Sequence, residues 1–439
     1  MSSLAFKTLA EASAAIQNKA VSPVELTQAC LARIYALNPT INAFITITEA
    51  EALARARTLE SELAHGKSRG PMHGIPIAIK DLIDTEGIRT TAASAVFADR
   101  VPSEDAEVVR RLKHAGAVLL GKLNLHEFAY GGTSDVTHFG PVRNPWNLAH
   151  SPGGSSGGSG AAVAARMCFG AVGTDTAASI RMPAACCGIV GMKPTYGVVS
   201  TGGVIPLSWS LDHVGPMCRT VEDAAIMLES MAETPRLPCK CPTRDLRIGL
   251  PGKVYWEDLD PEVEKASQQA VHVLAGLTAG IEEIQLPVVD NLTIAEAEAH
   301  AFHEPYLAHS AHLYSPPIRE RLLSGGRISA RAYILARREM ERWRAEIDAI
   351  FSDVDLIVAP TMPVKPVAIG TVSDLIMIRN TCAFNVFGIP TISVPCGFTN
   401  DGFPVGLQIA GPRLAESRVF QLAQAYEQAT GWWRRSPNL

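Results

Sequence analysis

The sequence predicts an α/β protein, and three features of the chain support this. Strand-like apolar runs alternate with amphipathic helical stretches from residue 74 onward. Apolar residues occupy 47% of the 439 positions, enough for a sizeable buried core. No internal repeat is visible, so a solenoid of repeated units is not expected. The length alone allows either one large domain or two smaller ones.

The overall composition argues against several classes of partner. The formal net charge of −5 gives no reason to expect a nucleic acid ligand. The first residues lack the basic start and apolar core of a signal peptide, and the most apolar stretch, residues 161–173, is interrupted by Arg166. Nine scattered cysteines, an odd number, suggest reduced thiols. We therefore expect a cytoplasmic protein that binds neither nucleic acid nor a membrane.

Helices are predicted for the N-terminal part of the chain. An Ala-rich amphipathic run covers residues 8–20. Ser22 then provides an N-cap, Pro23 the first helical position and Glu25 a capping-box partner, which predicts a helix over residues 22–37. A third helix is expected over residues 49–64, before a Gly- and Pro-containing break.

The first predicted strand, residues 74–79, leads into Lys80. Apolar runs of this kind are usually buried on both faces of the sheet in α/β proteins. Open α/β sheets place their functional sites at the carboxyl ends of the strands. Lys80 is therefore either the end of the strand that reaches solvent or a functional group at that edge.

The alternation continues to the end of the chain. Residues 123–132 form a helix or turn whose Phe128 and Tyr130 either fill the core or wall a pocket. Further strands are predicted over residues 118–121, 188–191, 197–199, 246–250, 281–286, 355–360, 390–395 and 404–409. Further helices are predicted over residues 105–115, 221–231, 261–277, 295–313, 327–351 and 417–430, with an exposed connection over residues 234–243.

Two groups of residues resemble metal ligands only weakly. Histidines recur at spacings of three in the predicted helix 295–313, but the helix lacks His-Glu-x-x-His, and Pro305 interrupts it. We interpret this helix as partly solvated or as a lid. These histidines are His300, His303, His309 and His312. The cysteine pairs lack a second ligand pair nearby, so we expect core packing for the first and a loop for the second. The pairs are Cys186 with Cys187 and Cys239 with Cys241.

The stretch 153–181 says most about function. It opens Gly-Gly-Ser-Ser-Gly-Gly-Ser-Gly and ends near Ser179, whose neighbours are too small to cover its hydroxyl. Backbone this bare can direct amide N–H groups and hydroxyls at one point, which suits an acyl-transfer site. A flexible linker is disfavoured because the stretch continues into apolar residues 161–165. A phosphate loop would need a lysine after the glycines, and this chain has none there. A nucleophile elbow would need a hydrophobic strand before the glycines, which this chain also lacks, so both alternatives are disfavoured.

With these pieces in place, the chain resembles the amidase signature family, hydrolases that use a Ser–Ser–Lys triad. The resemblance rests on residues 153–159, on residues 173–181 and on the strand that ends in Lys80, with flanking matches at 139–145 and 406–408. It extends over roughly residues 10–430. It implies one large α/β/α domain, 1–439, with a central mixed β-sheet covered by helices and with no metal or organic cofactor.

Within that domain the resemblance implies three parts. Residues 1–65 form an N-terminal helical segment that packs on the core, and residues 66–233 form the catalytic signature region. Residues 234–439 complete the α/β layers and the walls of the pocket.

Carried over position by position, the resemblance makes Ser179 the nucleophile, Ser155 a bridging serine and Lys80 the base. The peptide between Gly154 and Ser155 is expected to be cis. A serine hydroxyl is a poor nucleophile until a base removes its proton. A lysine can do this only when it is neutral, which requires burial to lower its pKa from about 10.4.

The resemblance also assigns an oxyanion hole to backbone N–H groups. The residues that supply them are Thr176, Ala177, Ala178 and Ser179. The family usually has Gly-Gly where this chain has Ala177-Ala178. Because alanine at positive φ costs about 1–2 kcal/mol, we expect negative φ at both positions. Their methyl groups are then expected to narrow the space beside the scissile carbonyl.

The remaining assignments concern the pocket and its supports. The residues that the resemblance places in the substrate pocket are Ala129, Tyr130 and Gly131, with residues 382–387 as a further wall. Ser156 is expected to hydrogen-bond within the triad network. Asp175 and Arg181 are expected to pair and brace the loop before Ser179.

Together these features predict a serine hydrolase that cleaves a linear C–N bond through an acyl-enzyme on Ser179. Its expected substrate is a small-molecule amide, carbamate or urea-like compound, and its expected assembly is a homodimer. The alternative is the glutaminase-type subunit of a tRNA-dependent amidotransferase, which shares the fold and the triad but works only with partner chains.

Overall fold

One mixed β-sheet organises the part of the chain that this computed structural model describes, residues 4–232, 237, 242–287, 289, 292–371 and 374–439. Its strands are β1 (Phe44–Ile47), β2 (Pro76–Lys80), β3 (Val118–Leu123), β4 (Gly170–Asp175), β5 (Val190–Lys193), β6 (His213–Cys218), β7 (Arg247–Pro251), β8 (Gly280–Ile284), β9 (Leu356–Pro360), β10 (Thr391–Phe398) and β11 (Pro404–Ala410). Within the described residues, eleven strands lie in the order β1-β3-β2-β4-β6-β5-β10-β11-β9-β7-β8. The predicted α/β fold with a central mixed sheet is confirmed.

Helices cover the sheet and link its strands. They are α1 (Leu9–Gln17), α2 (Pro23–Ile41), α3 (Glu49–Ala64), α4 (Glu107–His114), α5 (Gly157–Ala164), α6 (Arg181–Cys187), α7 (Val221–Ala232), α8 (Pro261–Leu277), α9 (Leu292–Ser310), α10 (Pro316–Gly325), α11 (Ala330–Glu346), α12 (Asp374–Ile378), α13 (Cys382–Phe387) and α14 (Glu416–Thr430). The predicted start of α2 is confirmed, because Ser22 caps it and the Glu25 side chain accepts from the Ser22 N–H at 2.9 Å. No helix of the described residues has the length and apolar character that crossing a membrane requires.

Some predicted elements are wrong or lie elsewhere. Residues 197–199 form a turn instead of a strand, with Gly197 at φ 84°. Strand β6 was not predicted, because His213 and Pro216 break its apolar pattern although every position is buried. The segment 123–132, predicted as a helix or turn, contains a short 3-10 turn, Glu127–Ala129. Most of the predicted connection 234–243, including Cys239 and Cys241, lies outside the described residues.

The order of three central strands explains where the polar side chains gather. Strand β4 pairs in parallel with β2 and antiparallel with β6. The carboxyl ends of β2 and β4 and the first residue of β6 therefore meet at one edge. Lys80 ends β2, Asp175 ends β4, and His213 at the start of β6 is the register partner of Asp175.

The Gly/Ser stretch continues from a loop into α5, which is closely packed. Every residue of α5 is buried. A methyl group at Gly158 would lie 2.3 Å from the carbonyl oxygen of Asn124 and 2.7 Å from that of Ala43. The absence of a side chain lets α5 approach the backbone of its neighbours, which explains why glycine occupies this position.

We expect Gly158→Ala to lower the free energy of unfolding by about 3 kcal/mol or more, because the contacting atoms are backbone and cannot give way. Chemical denaturation measures this change. Gly276→Ala in α8 is the matched control, since no atom lies within 4 Å of the added methyl group. That change should stabilise the helix by about 0.5–1 kcal/mol. Equal midpoints for Gly158→Ala and the unchanged protein would contradict the packing described here.

Candidate active site

Lys80 is fully buried at the end of β2, with its amine among hydroxyl groups. Its Nζ lies 2.7 Å from the Oγ of Ser155 and donates to the Oγ1 of Thr174 at 2.8 Å. Burial lowers the pKa of Lys80 to about 7, while the charges of Asp212 and Asp175 oppose the shift. A large fraction of the amine is therefore uncharged near neutral pH, and an uncharged amine can accept a proton from the Ser155 hydroxyl.

Ser155 is held rigidly in the loop that precedes α5. The Gly154–Ser155 peptide bond is cis. The carbonyl oxygen of Ser155 accepts from the N–H of His126 at 3.1 Å and from the hydroxyl of Ser134 at 3.2 Å. These contacts connect the loop to the segment that follows β3, and they leave the Ser155 side chain facing Lys80.

Ser179 lies in the bend between β4 and α6 and is half-buried. Its carbonyl oxygen accepts from the N–H of Ser156 at 3.3 Å, so its backbone is tied to the Ser155 loop. Ser156 also fastens that loop to β4, because its Oγ donates to the carbonyl oxygen of Thr174 at 3.1 Å and accepts from the Thr174 N–H at 3.2 Å. The hydroxyl of Ser179 makes no hydrogen bond to another described residue.

Asp175 and Arg181 form a buried pair that closes this bend. Arg181 donates to Asp175 through Nε and Nη2, each at 3.0 Å. The Asp175 carboxylate also accepts from the N–H of Ile180 at 3.1 Å and from the amide of Asn385 at 2.9 Å. Burial alone would raise the pKa of Asp175, but the Arg181 guanidinium holds it well below its usual range.

The backbone before Ser179 carries unpaired donors. The N–H groups of Ala177, Ala178 and Ser179 donate to no acceptor among the described residues. Unpaired N–H groups in succession are rare inside proteins unless a ligand satisfies them. Neither alanine is among the described residues with positive φ, as expected. This bend can therefore bind a negatively charged oxygen next to the Ser179 hydroxyl.

The two alanines differ in their surroundings. Ala178 is buried in an apolar cluster with Met182, Met362 and Met377. Its methyl group therefore fills packing space, whereas Ala177 is half-buried and remains the alanine able to narrow the site. The carbonyl oxygen of Ala177 accepts from Arg181 at 3.1 Å, which fixes the direction of this peptide.

The predicted pocket residues lie between His126 and Ser134, the two residues that donate to the Ser155 carbonyl oxygen. Ala129 has a left-handed φ of 60°, and Gly131 lies against the ring of His126. The guanidinium of Arg321 lies 4.5 Å from the centre of the Tyr130 ring and donates to the Tyr130 carbonyl oxygen at 3.1 Å. Helix α10, which carries Arg321, therefore supports this wall.

Other side chains have separate positions. A cavity of about 1000 Å³ is lined by Trp256, Arg379, Cys382 and Ala383, among others, but not by Lys80, Ser155 or Ser179. Two histidines of α9 have local partners, since the Nδ1 of His300 contacts the carbonyl oxygen of Leu322 and the Nδ1 of His303 contacts the hydroxyl of Tyr314, both at 2.9 Å. Cys186 and Cys187 are buried free thiols.

The sequence did not single out several residues of the site. Thr174 lies inside the motif of residues 173–181, but nothing in that motif indicated its contact with Lys80. Asp212 accepts from the hydroxyl of Thr176 at 2.6 Å, and Asn385 contacts Asp175 from far along the chain. A lone acid and a lone amide carry no spacing signal, so only the fold could reveal them.

Comparisons with known proteins find relatives along nearly the whole chain. A model of the family described as Amidase matches residues 25–420. A relative from Methylococcus capsulatus, one of the subunits of its glutamyl-tRNA(Gln) amidotransferase, is 42% identical over 98% of each chain. Among solved structures, one described as an amidase has a TM-score of 0.91 at 34% identity, covering 96% of this chain and 99% of that one.

Two further solved structures are informative. The peptide amidase of Stenotrophomonas maltophilia has a TM-score of 0.86 at 33% identity and covers 98% of each chain. The corresponding glutamyl-tRNA(Gln) amidotransferase subunit from Thermotoga maritima has a TM-score of 0.77 at 34% identity, covering 92% of this chain and 91% of that one.

These comparisons correct one expectation. We predicted a small-molecule amide or carbamate substrate and no nucleic acid. The curated relatives are subunits of an amidotransferase named for a tRNA, which contradicts that set of partners. The physical reason for the error is that the net charge of the chain is a sum over its whole surface. It gives no information about a substrate that another chain of a complex binds.

We expect Arg181→Met to lower the free energy of unfolding by about 3–5 kcal/mol, because it leaves the buried carboxylate of Asp175 without its cation. Thermal or chemical denaturation measures the change. Arg342→Met is the control, since Arg342 faces Glu339 at 3.5 Å on an exposed part of α11 and should contribute less than about 1 kcal/mol. Similar effects of the two substitutions would show that the buried pair does not brace the bend.

Proposed function

The chain belongs to the Amidase family, whose members act on C–N bonds, and from this we propose that it is the glutaminase-type subunit of a tRNA-dependent amidotransferase. The observation that carries the proposal is the similarity to one chain of that enzyme, 42% identity over 98% of both chains. The proposed substrate of this chain is the side-chain carboxamide of glutamine. The proposed acceptor of the ammonia is an acyl group attached to a tRNA and held by partner subunits. A cytoplasmic location stays a prediction.

In the proposed first step, uncharged Lys80 takes the hydroxyl proton of Ser155, and Ser155 takes that of Ser179. The Ser179 oxygen then bonds to the carboxamide carbon, and the carbonyl oxygen becomes an oxyanion. The 2.7 Å approach of Lys80 to Ser155 supports the relay. The unpaired N–H groups of Ala177, Ala178 and Ser179 are the proposed donors to the oxyanion.

In the proposed second step, the proton returns from Lys80 through Ser155 to the amide nitrogen. The C–N bond breaks, ammonia leaves, and an ester joins the acyl group to Ser179. The same relay then removes a proton from water, which cleaves the ester, releases glutamate and restores the three side chains. In this scheme the Lys80 side chain becomes positively charged in the first step and returns to its uncharged form in the second.

A second candidate function is amide or carbamate hydrolysis without transfer of the ammonia. Two observations favour it. The TM-score to the solved amidase is 0.91, against 0.77 to the amidotransferase subunit from Thermotoga maritima. The alignment with the Methylococcus relative runs to 479 positions, more than the 439 residues of this chain, so that relative carries segments absent here.

Co-expression with the other subunits of the amidotransferase separates the two functions. The glutaminase proposal expects a stable complex whose ammonia release from L-glutamine rises when a glutamylated tRNA is added. The hydrolase alternative expects the purified chain alone to cleave a panel of aliphatic amides, aryl amides and carbamates. Mass spectrometry of the products identifies which group is removed.

We expect Ser179→Ala to reduce ammonia release by at least about 10⁴-fold, because it removes the oxygen that forms the ester. Ser159→Ala is the matched control from the same stretch, since the Ser159 hydroxyl only donates to the carbonyl oxygen of Val172 at 3.3 Å. The control should remain within a few-fold of the unchanged enzyme. Turnover by Ser179→Ala at the normal rate would rule out the proposed nucleophile.

The pH profile tests the base. Because the pKa of Lys80 is lowered to about 7, most of the amine is protonated below pH 7 and cannot accept a proton. Above pH 7 most of it is uncharged. We expect kcat/KM to rise with pH through an apparent pKa near 7 and then to level off. A profile that falls steadily from pH 6 upward would exclude an uncharged lysine as the base.

A further inference from the structure

A buried carboxylate lies beside the first residue of the proposed oxyanion hole. Asp212 accepts from the Oγ1 of Thr176 at 2.6 Å. Its other oxygen accepts from the N–H groups of Leu207 and Ser208, at 3.0 and 3.1 Å. All three donors are neutral, so hydrogen-bond dipoles, and not a cation, stabilise the Asp212 carboxylate.

The sheet fixes the position of Asp212 opposite Thr176. Asp175 at the end of β4 pairs with His213 at the start of β6. Thr176 directly follows β4 and Asp212 directly precedes β6, so they are the next residues beyond that pair. Their contact therefore follows from the strand register, and it ties the bend that contains Ser179 to β6.

The segment before Asp212 is itself held from the other side. Glu298 of α9 accepts from the hydroxyl of Ser208 at 2.6 Å and from the N–H of Ser210 at 3.0 Å. Tyr333 of α11 donates to the same carboxylate at 2.8 Å, and Arg337 lies 3.3 Å from it. Glu298 therefore fixes the segment 208–210, and the same segment is bonded to Asp212 through Ser208. These contacts keep Asp212 from moving away from Thr176.

Asp212 contacts Thr176, two residues after the Thr174 that accepts from the Lys80 amine, and its negative charge and that of Asp175 oppose the lowering of the Lys80 pKa by burial. Of these two carboxylates, Asp175 is paired directly with Arg181. Beyond these, the charged and titratable groups that face Asp212 and Asp175 are Glu298, paired with Arg337, together with Lys193 and His213. Asp212 forms no salt bridge with a cation among the described residues, so no nearby cation neutralises its charge.

We propose that Asp212 is a positioning residue, which directs the N–H groups of the oxyanion bend through Thr176 and whose negative charge acts on the Lys80 amine. The proposal rests on the proposed serine mechanism but not on glutamine as the substrate. Burial raises the pKa of Asp212 to about 7, so its protonation and that of Lys80 fall in the same pH range. Loss of the negative charge makes protonation of Lys80 less favourable.

The test measures how fast Ser179 reacts with a fluorophosphonate as a function of pH, followed by intact-protein mass spectrometry. In this reaction the Ser179 oxygen bonds to phosphorus, fluoride leaves and the hydroxyl proton passes to the base, so no knowledge of the natural substrate is needed. Asp212→Asn keeps a hydrogen-bonding side chain and removes the charge. We expect its half-maximal pH to shift downward by about one unit relative to the unchanged enzyme.

Thr176→Val keeps the charge of Asp212 and removes the hydrogen bond. We expect its maximal labelling rate to fall about 10- to 100-fold with the half-maximal pH unchanged. Thr176→Ser restores the hydroxyl and should recover most of the rate. Asp223→Asn is the control for loss of a buried acid, because Asp223 lies on α7 beside Arg219, and its profile should match that of the unchanged enzyme.

A merely structural role would lower the rate of both variants without moving the pH profile of Asp212→Asn, and that result would overturn the proposal. Equal maximal rates for Thr176→Val and Thr176→Ser would overturn it as well, even if Asp212→Asn did not fold. Absence of labelling in the unchanged enzyme would instead contradict the proposed nucleophile. Normal labelling without glutamine turnover would contradict only the assigned substrate.

Discussion

The site depends on one interaction, the burial of the Lys80 amine between the hydroxyls of Ser155 and Thr174. In water this amine would be charged and useless as a base at neutral pH. Inside the sheet it loses hydration, and the two hydroxyls can hydrogen-bond to its uncharged form. The surrounding fold therefore has to hold water away from one nitrogen while leaving Ser179 half-exposed to a substrate.

That requirement accounts for the construction of the site. The amine comes from β2, the hydroxyls from the loop before α5 and from β4, and the bend with Ser179 follows β4. Close packing of α5 needs glycine at position 158, where a methyl group would meet backbone atoms. The buried pair of Asp175 and Arg181 then fixes the bend, so that unpaired N–H groups and a hydroxyl lie side by side without a ligand. Rigidity here is a condition for the proposed chemistry, since the donors have to be in place before an oxyanion forms.

The sequence predicted the fold class, and the residues themselves pointed to the bare backbone of 153–181 as an acyl-transfer site. The roles of Lys80, Ser155 and Ser179 came only from the resemblance to a family, because a lysine at the end of an apolar strand can equally reach solvent. Prediction failed where spacing carries no information. Asp212 and Asn385 are single polar residues whose roles arise from strand register and from contacts distant in the chain. Strand β6 escaped prediction because its burial on both faces tolerates His213 and Pro216. The partners were predicted wrongly, since a total charge of −5 describes no particular surface.

The most direct test of the account is the protonation of Lys80 itself. Heteronuclear NMR of protein labelled at lysine side chains, with the Lys80 signal assigned by its loss in Lys80→Met, follows the amine as the pH is raised. We expect a transition near pH 7, well below that of exposed lysines. A Lys80 signal that remains that of an ammonium group up to pH 10 would contradict it.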